Sequence, residues 1–88
     1  MLYYVYRCYT KDGSLLYVGF TSQLLTRLTD HRRTSVWWLQ IYRVAYESFT
    51  ERIEALAAER HAIKTEHPRY NYIRITTADK ITLQDDEI

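Results

Sequence analysis

Residues 2–9 (Leu-Tyr-Tyr-Val-Tyr-Arg-Cys-Tyr) are rich in β-forming side chains, and on a period of two Tyr4, Tyr6 and Cys8 share one face. This predicts a strand. Lys11-Asp12-Gly13-Ser14 is turn chemistry, and Leu15 to Gly19 returns as a second strand with Tyr17 and Gly19 on one face, so the pair makes a hairpin. Leu24, Leu25 and Leu28 recur as one helical stripe, which predicts a helix capped by Thr21 or Ser22 and running to about Arg33. Val36 to Tyr46 reads as a third strand, with Trp37, Leu39, Ile41 and Arg43 alternating against Trp38, Gln40, Tyr42 and Val44. Ser48 with Glu51 fits a capping box that opens a second helix, continuing to about Glu66 and stopped before Pro68. Tyr70 to Ile75 is a short extended piece. The order is β-β-α-β-α, and a three-stranded antiparallel sheet flanked by helices around one core is the economical way to bury these stripes. The fold class is α/β of the α+β kind.

Composition sharpens this picture without changing it. Eighty-eight residues make one small domain, and 47% hydrophobic with 15% aromatic residues is enough for a real core. Two Gly and one Pro argue against a loop-rich or disordered chain. The single cysteine, Cys8, cannot close an internal disulfide and reads as a small buried hydrophobe. No stretch approaches the ~20 apolar residues of a membrane span and no apolar signal core opens the chain. The expectation is a cytoplasmic protein with no membrane partner.

Net charge is +1, but it is unevenly spread. Residues 79–88 carry Asp79, Asp85, Asp86 and Glu87 against Lys80, which divides the chain into a domain at 1–78 and an acidic tail at 79–88. Up to Ala78 the chain holds 11 basic and 7 acidic residues. Arg27, His31, Arg32, Arg33 and Arg43 concentrate positive charge in one region, which suits phosphates and therefore nucleic acid. The plainer reading is a helix end whose cations complement its dipole.

Several polar residues carry candidate chemistry. Ile53, Leu56 and Ile63 set the stripe of the second helix, and Glu59 falls roughly 60° from Leu56. A carboxylate at a stripe's edge needs a cation or metal, and a salt bridge to Arg27 or an outward reach answers the same need. A lone carboxylate with water in the other positions suits Mg²⁺. Arg27 and His31, four apart, face the same way on the first helix. A guanidinium there can bind a phosphate twice, and an imidazole can move a proton near neutral pH. Tyr6 and Tyr17 stand on adjacent strands, and Gly19 lets a helix terminus or a phosphate approach the sheet. Asn71, just past the second helix, can orient a phosphate or satisfy local backbone. Trp37 and Trp38 can stack bases, although consecutive aromatics in a strand more often split between core and surface. His61 and His67 are assigned no role.

Tyr4-Val5-Tyr6 and Tyr17-Val18-Gly19, eleven residues from tyrosine to tyrosine, resemble the two motifs that name the GIY-YIG nuclease family. Arg27 and His31, eight and twelve residues after Gly19, extend the resemblance, as do Glu59 on a helix and Asn71 beyond it. It covers residues 3–72. The resemblance implies a compact nuclease with a three-stranded antiparallel sheet and flanking helices. Tyr6 or Tyr17 then helps activate water, with Tyr6 favoured as the base, and Arg27 binds the scissile phosphate. His31 assists proton transfer, Glu59 holds one divalent metal (Mg²⁺, with Mn²⁺ as a substitute), and Asn71 supports the site. Arg32, Arg33 and Arg43 join Arg27 in contacting DNA. The first motif departs from the pattern by placing Tyr4 where a glycine is expected. The length also leaves no room for a separate DNA-reading domain, so selectivity is expected from DNA structure, a homodimer or a partner protein.

The leading expectation is a metal-dependent DNA endonuclease. The alternative is a non-catalytic nucleic-acid-binding or adaptor module that keeps the fold, and a third reading is an interaction domain using Trp37 and Trp38.

Overall fold

The first two strands meet through a tight turn that the sequence dictates locally. In a computed structural model, which describes residues 1–71, β1 (Tyr3–Tyr9) and β2 (Leu15–Thr21) pair antiparallel. Between them Gly13 takes φ +91°, a region that favours glycine, and Thr10 N–H donates to the Ser14 carbonyl at 2.9 Å. The side chains of Thr10 and Asp12 hydrogen-bond inside the turn. The register slips between Cys8 and Tyr9, so Leu16 is the extra residue of a bulge between Tyr17, opposite Cys8, and Leu15, opposite Tyr9. The acidic segment 79–88 and most of the extended piece expected at 70–75 lie outside the described residues.

The third strand, β3 (Arg43–Phe49), pairs with β1 on its other side, giving the antiparallel order β2-β1-β3. It begins seven residues later than the alternation predicts. Trp38–Gln40 forms a single 3₁₀ turn, held by Gln40 N–H to Trp37 C=O at 3.0 Å and Ile41 N–H to Trp38 C=O at 3.1 Å. The reason is burial: Trp37 is 5% exposed within an aromatic cluster, and that packing overrides the strand propensity of its neighbours. Leu39, expected inside, is exposed.

Helix α1 (Leu24–Thr34) follows β2, and α2 (Arg52–Glu66) follows β3. Neither expected N-terminal cap forms. Thr21 stays in β2 and its hydroxyl accepts from Gln23 N–H at 2.9 Å, so Gln23 precedes α1 without a side-chain cap. Ser48 lies within β3 opposite Tyr4, which removes it from a capping box, and Glu51 precedes α2. At its end α2 stops at His67, in the left-handed conformation with φ 53°, just before the buried Pro68.

Both faces of the sheet are covered, so the expected single core is two. On one face Tyr6, Cys8, Leu16, Tyr17 and Trp37 pack with Leu24 and Leu28 of α1. On the other, Val5 and Val18 meet Ala55 and Ala62 of α2, with Ala58 and Ile63 alongside. The apolar stripes are therefore narrower than predicted. Leu25 and Ile53 are each 81% exposed, and the small alanines let α2 lie close on the strands. Beyond that helix the chain returns along the outer edge of β2, where Arg69 and Tyr70 N–H groups donate to the Leu15 and Leu16 carbonyls at 3.2 and 2.9 Å.

Candidate active site

Tyr6 and Tyr17 owe their position to strand register. Tyr6 pairs with Gly19 on β2 and with Tyr46 on β3, while Tyr17 pairs with Cys8, so both phenols rise from the face that α1 covers. Their rings are 6.1 Å apart. Gly19 is required here for a reason other than the one expected. The Tyr6 ring itself lies over the glycine: a Cβ would fall 2.7 Å from Tyr6 Cε1 and closer still to Cζ and the phenol oxygen. It is a tyrosine, rather than a helix end or phosphate, that makes the close approach.

α1 lays His31 over both phenols. Tyr6 Oη and His31 Nε2 are 2.7 Å apart, and the His31 ring meets Tyr17 edge-on at 4.9 Å between centroids. His31 is only 3% exposed and its other nitrogen, Nδ1, lies 2.8 Å from Ser35 Oγ one turn on. Trp37 stacks on Tyr17 at 4.9 Å and closes over the imidazole at 4.8 Å. Tyr70 extends the stack beyond Trp37 at 6.1 Å, its hydroxyl accepting from Gln40 Nε2.

Burial dominates the electrostatics. It pushes the Tyr6 phenol well above its ordinary value, helped by the neighbouring Tyr17, while the charge of Arg27 and its hydrogen bond pull the other way. Tyr6 is therefore neutral at physiological pH and has an O–H to donate to His31. Hydroxyls of Tyr6 and Ser35 thus hold the imidazole at both of its ring nitrogens. Burial likewise pushes the Cys8 thiol up to about 12, which makes it an inert hydrophobe, as its place in the core indicates.

The remaining predicted residues are spread around this cluster. Arg27 is half-buried one turn before His31, and Arg32 and Arg33 are exposed near the end of α1. Arg43 is held over the Tyr9 ring at 4.1 Å, at the start of β3. Glu59 is half-buried on α2, roughly 40° from Ala55 around the helix, in the layer on the opposite face of the sheet from α1. Asn71 is buried, with its amide committed to backbone: Val18 N–H donates to Oδ1 and Nδ2 donates to the Val18 carbonyl, both at 2.8 Å. Of its two expected uses, the backbone one is seen. It pins the residue between Tyr17 and Gly19.

Among the described residues no three or more His, Cys, Asp or Glu side chains gather into a metal-holding group, and no helix is long and apolar enough to cross a membrane. Ser35 and Trp37 are the members of the cluster that sequence reasoning did not place in it. Ser35 could have been found from its position four residues after His31. Trp37 carried no signal separating it from Trp38.

The model of the GIY-YIG catalytic domain matches residues 2–71. Curated relatives include the UvrABC system protein C of Flavobacterium johnsoniae, 34% identical over 76 residues. That alignment covers 78% of this chain and 13% of the relative. The protein of the same name from Actinobacillus succinogenes is 33% identical over 76 residues, covering 78% of this chain and 12% of the relative. The chain thus spans a small fraction of the length of the curated relatives it matches. No solved structure matches it significantly.

Proposed function

The chain belongs to the GIY-YIG family of catalytic domains, and from that premise we propose that it is a metal-dependent endonuclease hydrolysing DNA phosphodiester bonds. The observation that carries this reading is the buried Tyr6–His31 bond beside Tyr17 and Arg27. Such a cluster has little value to a pure binding module, because a binder needs no buried imidazole bonded to a phenol.

Arg27 binds the scissile phosphate and stabilises the charge that grows on it in the transition state. Water attacks phosphorus, and Tyr17 takes its proton while passing its own O–H proton to the His31 imidazole, which becomes imidazolium held by Tyr6 and Ser35. The bond to the leaving oxygen breaks, and that oxygen takes up a proton from solvent. Of the two phenols this reading takes Tyr17, rather than the Tyr6 favoured from sequence, as the base. Tyr6 offers no surface to water, whereas Tyr17 is 8% exposed, so Tyr17 meets the water and Tyr6 holds His31. Asn71 keeps Tyr17 in place through Val18. Arg32, Arg33 and Arg43 add phosphate contacts along the DNA.

Glu59 is the residue that holds the metal. One half-buried carboxylate fits Mg²⁺ or Mn²⁺, which retain water and use substrate phosphate as ligand, and does not fit a zinc cage. The metal supplies Lewis-acid stabilisation of the phosphoryl group when bound. The relatives are named as components of a UvrABC system, and by analogy a partner protein or a second copy contributes to selectivity.

The test is supercoiled plasmid with and without Mg²⁺, using wild type and Glu59→Gln. We expect nicking only with metal and wild type, with Glu59→Gln folded and still binding DNA. Cutting by purified Glu59→Gln at the wild-type rate would remove the metal assignment. A wild type that binds DNA but cuts none with Mg²⁺ or Mn²⁺ would replace the enzyme by a DNA-binding module.

A further inference from the structure

A groove of about 540 Å³ opens beside the tyrosine cluster, lined by Tyr4, Ser22, Gln23, Leu24, Leu25, Thr26 and Tyr46. We propose that it receives a single unstacked nucleobase of the DNA strand next to the scissile phosphate. The proposal rests on the nuclease reading above and deepens it, because it names the substrate class: DNA with an unpaired or mispaired nucleotide beside the cut.

Position is the first ground. Tyr46, in the groove, is the cross-strand partner of Tyr6, which Arg27 hydrogen-bonds, so the groove lies next to the proposed phosphate site. The second ground is chemistry. Tyr4 and Tyr46 meet edge to face at 5.7 Å, and Tyr46 keeps 59% of its surface exposed, as does 81% of Leu25. Aromatic and aliphatic walls accept the face of any base, while Ser22, Gln23 and Thr26 offer hydrogen bonds to its edge. Among the described residues no carboxylate lines the groove to repel the strand. The volume lies within the range of small-molecule sites. A base paired in a duplex has both faces covered and cannot enter, so only an extruded one fits.

The test uses a short duplex carrying 2-aminopurine either fully paired or in a one-nucleotide bulge, at fixed salt and without metal. Wild type should bind the bulged duplex roughly tenfold tighter and quench its fluorophore by stacking. Tyr46→Ala and Leu25→Asp should each bring the two duplexes to equal affinity, and Tyr46→Phe should keep the preference. Both positions are exposed, so the variants should melt with wild type. Equal wild-type affinity for the two duplexes, or a preference untouched by both variants, overturns the proposal. So does a concentration-dependent dimer that Leu25→Asp abolishes, since a second copy then fills the groove. Plasmid cutting is scored separately: preference without cutting leaves the groove and sinks the nuclease, and cutting without preference does the reverse.

Discussion

The two faces of the sheet bury comparable elements in opposite ways. Against α2, Val5 and Val18 meet Ala55 and Ala62, an apolar contact with nothing to titrate. Against α1, the same two strands bury Tyr6 and Tyr17 around a histidine that is 3% exposed, with hydrogen bonds at both of its ring nitrogens. An apolar face tolerates exchange of one aliphatic group for another at a cost set by volume. The α1 face cannot, because each buried polar atom there depends on the position of its partner. Packing is spread over both faces, and the buried tyrosine–histidine cluster is confined to one.

The strongest way to break this contrast is Gly19→Ala against Val18→Ala. A methyl at Gly19 enters the Tyr6 ring, so overpacking should cost about 1–3 kcal/mol and push Tyr6 away from His31. Val18→Ala should cost a similar amount, on the order of 2 kcal/mol, through a cavity on the other face. We expect nuclease activity per folded molecule to collapse in Gly19→Ala and to stay near wild type in Val18→Ala. Melting curves paired with single-turnover rates decide it, and equal rates for the two would erase the distinction between the faces.

Removing single oxygens sharpens the comparison within the β1–β2 hairpin. Tyr17→Phe should lower the rate by roughly 10²-fold and Tyr6→Phe by about tenfold, since the first meets water and the second holds His31. Tyr3→Phe, on the opposite face of β1 beside Phe20, should leave the rate unchanged. A larger loss in Tyr6→Phe than in Tyr17→Phe would return the role of base to Tyr6.

The smallest expected effect lies on the α2 side. Arg7 hydrogen-bonds both oxygens of Glu66 at 2.9 Å and also reaches Glu47 at 3.2 Å, joining the end of α2 to the sheet. The hydrogen bonds from Arg7 hold the Glu66 carboxyl below its usual value. Its contribution is thus present above the unfolded carboxylate value of ~4.3 and disappears as pH falls through the lower folded value. Glu66 is more than a third exposed, so solvent screening keeps this contribution under about 1 kcal/mol. Glu66→Gln should melt a few degrees lower at neutral pH, at most the ~4–8 °C that 1 kcal/mol represents in so small a domain. The two curves should converge once pH has fallen below the lowered folded value, with cutting at neutral pH untouched. A gap that persists in acid would show that the ion pair is not its source.

The hairpin, both helices and their order were legible because Tyr- and Val-rich strands, a Gly turn and Leu spacing all act locally. The third strand was misplaced because Trp37 answers to Tyr17 and His31, partners that no local pattern reveals. The helix starts were missed for a related reason: Thr21 and Ser48 belong to strands, and sheet pairing decided their backbone before capping could. Within the site, the grouping of Arg27 with His31 followed from helical spacing. The imidazole's hold on Tyr6, the collision that demands Gly19, and the commitment of the Asn71 amide to Val18 each depend on three-dimensional register.

That last bond has a bearing on how the domain comes into being. Asn71 clamps Val18 across 53 residues of chain, and its neighbours seal the edge of β2 at Leu15 and Leu16. Contacts of such sequence separation close late, after the hairpin and helices can already form. During synthesis the strand that carries Tyr17 and Gly19 therefore stays loosely held until the turn after α2 has left the ribosome. A domain built this way gains the Asn71–Val18 clamp only once the turn after α2 is in place. Amide exchange at Val18 in Asn71→Ala, faster than at Val5 on the central strand, would register that order.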